Sequence, residues 1–553
     1  MRSPAFLGSL NRGTRSTDWS QRVVANGGAL PSQNTILAMD TFLTDLTSSG
    51  LLTKMHSLCV FVPDSLIAAT TPLVVGIGSD PWTNHNFVTG DLSVEGLLGD
   101  ASTRYLDSGV KAKSGFAVNS GTGNVGLTAM VSRTNQNAVS GLIGAQDSGG
   151  TAVPDLALYL AYNGSALVET AFTSKASAAS NTTHTEDWLR VGYVSGNQVG
   201  GTSTVYVAND YTPHSILTSA ALATNATTTD NTIDVFAVNL AGTPSSPCGQ
   251  SLSFAAIHDG LSSSESLAFF NLIVTLRTAL GGGLGNPVDD WSNRVVVAGG
   301  ATPSTGTVTA LKTFSSSLAS AGIYSKMAVV NAVVPDNLTA ARVPLIVQAG
   351  NLTWTNVNFV SGDLGVNGIA GNGSSKYLNT GIIPGTCYKW SEGSGGLSIM
   401  VSVVPGAGTP IEMGALEGGS ASTLIYNQTA AGGVYLWGYA TGTDTISAAL
   451  PSSSWPGFLT ANRTATNAMS LYRASTANSF ASLASTSGAK TINRSSNTIA
   501  LFTSAYNSAG SPAGYSDRTH SFYGFHQGLT STEAQDLYNA VSALRTSLGG
   551  GNP

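Results

Sequence analysis

Trp82-Thr83-Asn84-His85-Asn86-Phe87-Val88-Thr89-Gly90-Asp91-Leu92 is answered by Trp354-Thr355-Asn356-Val357-Asn358-Phe359-Val360-Ser361-Gly362-Asp363-Leu364, at a constant offset of 272 residues. The offset holds outward: Asp18-Trp19-Ser20 returns as Asp290-Trp291-Ser292, and Tyr105 as Tyr377. Roughly half of the positions in that stretch are identical, which marks a tandem duplication. Farther on, small drifts in spacing locate insertions. Ile143-Gly144-Ala145 matches Met413-Gly414-Ala415, and the segments Ser253 to Gly281 and Ser521 to Gly549 align. Each copy is far longer than the about 20 to 50 residues of a solenoid or propeller repeat, so each is large enough for its own core.

Copy one ends in Gly281-Gly282-Gly283-Leu284-Gly285-Asn286-Pro287 and the chain in Gly549-Gly550-Gly551-Asn552-Pro553. The expected organisation is a basic arm over 1–17, a first module over 18–283, a linker over 284–288 and a second module over 289–553. The arm carries Arg2, Arg12 and Arg15 without an acid and has no counterpart in copy two. It is either a disordered start or a short arm that docks on an acidic surface of a larger assembly.

Charged residues make up 10 % of the chain, against about 25 % in an average soluble domain, so the surface must be built largely of Ser, Thr, Asn and Gly. With a net charge of −6, neither nucleic acid nor an anionic membrane is an expected partner. Cys59, Cys248 and Cys387 fall at non-equivalent places, Cys59 being replaced by Asn331. A disulfide or metal framework would repeat with the fold, so these read as isolated thiols. No apolar run approaches the roughly 20 residues of a membrane span, and the N-terminus lacks the apolar core of a signal peptide. A soluble product with no secretion route is expected.

Each module opens with a short apolar run, Val23-Val24-Ala25 in copy one, and a Pro31-Ser32 start signal. Ile36, Met39, Phe42 and Leu46, and in copy two Val308, Leu311, Phe314 and Leu318, then share one helix face, with Gly50 or Gly322 as the stop. Short β-rich runs follow, among them Gly126 to Val131, Leu156 to Tyr159 and Ser203 to Val207. Frequent turn signals and no intervening helical pattern predict an antiparallel sandwich or jelly roll. Each module closes on Gly260-Leu261-Ser262-Ser263-Ser264-Glu265 or Gly528-Leu529-Thr530-Ser531-Thr532-Glu533, a capping box that starts a second amphipathic helix. That helix is expected to seal one end of the sandwich. The fold class is mainly β: two tandem antiparallel β-sandwich domains, each with an N-terminal and a C-terminal amphipathic helix.

This order of helix, many short strands, a Gly-Leu-Ser/Thr-x-x-Glu cap and a final helix resembles the concanavalin A-like, laminin-G-like jelly-roll modules of tailed-bacteriophage structural proteins. Arg104 to Gly109 and Lys376 to Gly381 look like the first strand of such a jelly roll. The resemblance implies a decoration, fibre or host-attachment protein on the virion surface, made in the host cytoplasm. Its implied partners are capsid or tail subunits and host surface glycans, the latter bound by loops at the sandwich edge. A homo-oligomer is also expected.

The duplication filters candidate chemistry. One histidine pair survives, His258 and His526, each beside a helix start with no repeated acid or nucleophile next to it; it reads as a structural imidazole. Gly121-Thr122-Gly123-Asn124-Val125-Gly126 fits Gly-x-Gly-x-x-Gly but leads into a strand pattern, so no helix N-terminus awaits a pyrophosphate. No catalytic residues, metal site or cofactor are expected. The acids kept in both copies are Asp64/Asp336, Asp91/Asp363, Asp147/Glu417 and the capping pair Glu265/Glu533. Only two carboxylates facing one sugar bond would make a polysaccharide depolymerase, a reading left open beside a purely architectural cement or spacer. The densest repeated polar-aromatic cluster is Trp82, Asn84, Asn86 and Asp91, with Trp354, Asn356, Asn358 and Asp363. It is either a carbohydrate-binding loop, with the indole stacked on a sugar face, or a buried indole whose Asn neighbours bond a long loop.

Overall fold

The computed structural model describes residues 15–112, 124–133, 140–146, 155–160, 170–175, 181–184, 191–221, 230–282, 286–347, 353–387, 390–391, 393–405, 411–417, 421–428, 433–440, 446–449, 456–475, 479–487, 497–506 and 511–551. The chain divides into two compact units, Met1–Asn286 and Pro287–Pro553. Among the described residues, the first unit holds two nine-stranded sheets, and the second an eight-stranded and a nine-stranded one.

In the first sheet of unit one the closing strand, Ser251–His258, lies between Met55–Val60 and Val125–Arg133. Beyond Val125–Arg133 follow Gly192–Val199, Thr202–Asn209 and Thr212–Ala221, all antiparallel. In unit two Thr519–His526 likewise sits between Met327–Asn331 and Gly395–Val403. The second sheet of unit one runs Asn181–His184, Thr170–Lys175, Asp155–Leu160, Ser140–Gln146, Thr232–Val235, Tyr105–Lys111 and Thr83–His85. Arg104 to Gly109 thus feeds an inner strand, and Met55–Val60 precedes it in the chain.

The first sheet is buried on both faces. Cys59, Leu127, Val131 and Ala255 face the second sheet, whereas Leu58, Val60, Met130 and Phe254 face a layer of helices. That alternation follows from the two-residue period of a strand. It also corrects the expectation that the closing helix plugs one end. Because both faces of this sheet are apolar, the helices Gln33–Ser48 and Ser263–Ala279 lie across its outer face. Phe42 meets Phe254 edge to face at 6.1 Å, and Phe314 meets Phe522 in the same way at 6.0 Å in unit two.

Val23-Val24-Ala25 proves helical as well, ending a helix over Arg15–Ala25 whose counterpart is Pro287–Val297. Trp19 and Val23, one turn apart, are both buried, and the Trp19 indole donates to the Thr71 carbonyl at 3.0 Å, as Trp291 does to Val343 at 2.9 Å. Each unit therefore opens with two helices. The first takes in Arg15, Ser16 and Thr17 from the expected arm, and the second unit's takes in Pro287 and Val288 from the expected linker; residues 1–14 lie outside the described residues.

Both capping boxes form. The Ser262 and Thr530 hydroxyls accept from the amides of Glu265 and Glu533, whose carboxylates accept the cap amides in return, at 2.9 Å in each unit. Gly96 and Gly368 adopt φ of 96° and 113°, and a Cβ there would lie 2.0 and 2.1 Å from the carbonyl oxygens of Leu252 and His520, so only glycine lets this hairpin reach the closing strand. Replacing Thr530 with alanine should destabilise the second unit by about 1 kcal/mol. Urea denaturation followed by hydrogen exchange should show the loss in Ser531–Ser547 and not in Ser263–Ala279.

Candidate functional site

The repeated cluster folds inward. Trp82 is 1 % exposed and Trp354 is 0 % exposed. The Trp82 indole donates to Ser57 Oγ at 3.0 Å and meets Phe61 edge-on. At the position of Ser57 the second unit has Val329, and Trp354 packs instead between Tyr523 and Phe525. Asn84 closes a loop on Phe87 through both amide atoms, and Asn356 does the same on Phe359. Asn86 and Asn358 take φ of 66°, a left-handed turn that Asn tolerates, and each donates across the loop, to the carbonyls of Thr103 and Ser375 at 3.0 Å. Asp91 accepts from the Val88 amide and pairs with Arg104 at 2.8 Å; Asp363 accepts from Val360 and pairs with Lys376. Within each unit the four residues are brought together, but neither indole offers a face to stack on a sugar.

Asp64 and Asp336 accept from the amides of Ser32 and Ser304 and from the hydroxyls of Thr35 and Thr307, fixing the start of the second helix. Asp147 lies outside the described residues, as does the Glu417 side chain. Gly121, Thr122 and Gly123 also lie outside them, and Val125 begins a strand.

His258 and His526 are fully buried. Each imidazole donates from Nδ1 to a neighbouring carbonyl, of Asp259 or Gln527, at 2.7 Å. This leaves Nε2 to accept from Thr128 at 2.8 Å or Ser398 at 2.7 Å. Burial, which penalises the charged ring, holds both near a pKa of about 4. A Cβ on Gly126 or Gly396 would strike the ring Cε1 at 2.3 or 2.2 Å, so the glycine and the histidine form one unit of packing. Two of the thiols feel the same penalty: burial raises Cys59 well above its usual range and pushes Cys248 up to about 12. Among the described residues no three of His, Cys, Asp and Glu are placed to hold a metal ion, and no helix is long and apolar enough to cross a membrane.

Two groups go beyond the residues singled out from sequence, and each occurs in one unit only. In unit one, His85 stacks on Tyr105 at 4.2 Å with planes 4° apart. Strand register sets Asp107 opposite both Thr83 and Asp234. Burial, then the charge of Asp107, push Asp234 up to about 8. The second unit has Val357, Asn379 and Ala500 in place of His85, Asp107 and Asp234. In unit two, Glu412, Ser516, Arg518, His520 and Tyr523 form a fully buried polar group. Unit one has Leu142, Cys248, Gln250, Leu252 and Ala255 there. The matching backbone bonds prove the equivalence: Phe236 and Phe502 amides donate to Leu142 and Glu412, and Cys248 and Ser516 amides donate to Phe236 and Phe502. Comparing the copies position by position is the signal that finds both groups, once the shifts in spacing are placed.

Among solved structures, the chain is similar to the binding domain of botulinum neurotoxin DC in complex with SialylT, with a TM-score of 0.27, 12 % identity, and 39 % of this chain and 52 % of that one covered. It is also similar to the Ruminococcus gnavus IT-sialidase CBM40 bound to α2,3-sialyllactose, with a TM-score of 0.23, 14 % identity, and 30 % and 92 % covered. The chain spans about half the length of the neurotoxin domains it matches. No protein-family model and no curated protein matches it.

Truncating Trp82 to alanine should cost about 3 to 5 kcal/mol in unit one, as a buried indole does and a rim-exposed one does not; chemical denaturation measures it. Asp234 is more basic in the fold than its ordinary 3.8, so its favourable contribution is full below 3.8 and lost as pH rises through about 8. Asp234→Asn should therefore raise the melting temperature of unit one above about pH 8 and leave it nearly unchanged below 3.8.

Proposed function

We propose that the chain is a non-enzymatic structural protein displayed on the surface of a phage particle, a decoration or fibre protein that holds weakly to host glycans through neutral polar contacts. The observation that carries this reading is the internal use of what the duplication preserves. In both units the paired amides, carboxylates and imidazoles make the same structural bonds, and the indoles of Trp82 and Trp354 are buried. The repeated content is scaffold, and the drifts in spacing fall between its strands. A surface poor in charge suits adhesion through hydroxyls and amides. Tandem units, multiplied again in a homo-oligomer, would turn weak contacts into firm attachment by effective concentration. The partners on this reading are capsid or tail subunits and surface glycans.

The interior position of Trp82 and Trp354 favours a second reading, a purely architectural cement or spacer. If sugars do bind, the half-buried His85–Tyr105 pair beside Asp107 is a better locus than either indole, since it joins ring faces to a carboxylate acceptor on a sheet edge. The full chain should be found on purified particles by labelled electron microscopy. It should be retained on a glycan array of host surface sugars, releasing no reducing ends, and His85→Ala with Tyr105→Ala should reduce retention several-fold. Absence from particles would overturn the structural role and released reducing ends the non-enzymatic one. Particle incorporation without glycan retention would select the architectural reading.

A further inference from the structure

Glu412 lies on Ile411–Glu417, in one sheet of the second unit, and its partners lie on or beside Thr519–His526, in the other. Arg518 Nη1 donates to Glu412 Oε1 at 2.6 Å, and Ser516 Oγ and His520 Nε2 both approach Oε2 at 2.7 Å. Tyr523 Oη lies 2.8 Å from His520 Nδ1, and the imidazole stacks on Phe502 at 4.0 Å. All five polar side chains are 0 % exposed. The carboxylate is thus the acceptor at the centre of a bridge between the two sheets.

We infer that this buried lock makes the second unit an acid-sensitive element, one that opens sheet from sheet before the first unit yields. The reason is what protonation leaves behind. Arg518 Nε and Nη2 are buried with no partner among the described residues, so Glu412 supplies the negative charge the guanidinium faces. Neutralising it strands a buried cation, which costs far more than never having had the pair. The groups facing Glu412 are Arg518, His520, Ser516 and Tyr523; of these the first two lower its pKa together with Ser516, against a desolvation that alone would raise it. The folded pKa lies below the ordinary 4.5, so the contribution is full above 4.5 and lost as pH falls through the folded value. His258 and His526 respond to acid alike and do not separate the units. Asp234 responds in the opposite sense, so acid favours unit one at Asp234 while it weakens unit two at Glu412.

The test is hydrogen exchange of the full chain, read by peptide, as pH is lowered from neutrality to below that of ordinary carboxylates. Protection should fall in Ile411–Glu417 and Thr519–His526 before it falls in Ser140–Gln146 and Ser251–His258. Glu412→Gln, which imitates the protonated side chain, should lower protection of unit two at neutral pH and flatten its acid profile. If that variant does not fold, Glu412→Leu combined with Arg518→Gln, which installs unit one's residues and removes both charges, should delay the acid opening of unit two. Simultaneous loss of protection in both wild-type units overturns the inference, as does an unaltered acid profile in the variant that folds.

Discussion

The closing strand of each unit enters the middle of a sheet whose other members were laid down long before it in the chain. Ser251–His258 separates Met55–Val60 from Val125–Arg133, and Thr519–His526 separates Met327–Asn331 from Gly395–Val403. Until it arrives, the strands on either side have no common partner and the helices have no continuous surface to cover. The pairing closes most of a unit's length in one step, a long-range contact whose loop entropy must be met before its hydrogen bonds repay it. The rest of the fold follows from it. The strand's inward residues complete the sandwich core, its outward residues seat the helices, and its last residue, His258 or His526, ties to the turn that starts the closing helix.

A sheet covered on both faces leaves no water for its polar groups, so each needs an internal partner. At one position the two copies keep the partner although they change the residue. Cys59 Sγ donates to the Ala69 carbonyl at 2.9 Å, and Asn331, in the same place, donates to Ala341, the same carbonyl of the other copy, at 3.1 Å. The imidazole stands at the head of another such chain: Thr128 and Ser195 lie 2.6 Å apart, and Asn197 donates to Ser195 at 2.8 Å. At Cys59 and Asn331 the buried acceptor persists and different side chains answer it.

This explains which parts of the molecule were legible in the sequence. The duplication, the capping boxes and the amphipathic helices depend on neighbours within one or two turns, and Ser262 with Glu265 or Ile36 with Met39 can be read off a line of text. The helix at Arg15–Ala25 was missed because its buried stripe is narrow, Trp19 and Val23, and Val23-Val24-Ala25 alone has strand character. The candidate site was ambiguous for a different reason. Trp beside Asn suits a sugar loop and a braced loop equally, and only the packing of the ring against Phe61 or Tyr523 decides. Glu412 was invisible because its partners lie about a hundred residues away and its counterpart is Leu142.

A chain with so few charges nevertheless buries several of them. Arg277, Arg463, Arg518 and Arg545 rank among its largest fully buried side chains. Arg277 and Arg545 are equivalent, each donating from the closing helix to the carbonyl of a hairpin residue, Val94 or Val366. Burial lowers both to a pKa of about 10, still protonated at neutral pH. These cations join helix to hairpin; they do not project a field. With these inside and charged residues only 10 % of the chain, the exterior carries few charges and has little long-range attraction for polyanions. On the proposed reading, contacts made through such an exterior would be short-range. The same economy that uses charge for internal bracing thus leaves the exterior with little long-range electrostatic reach.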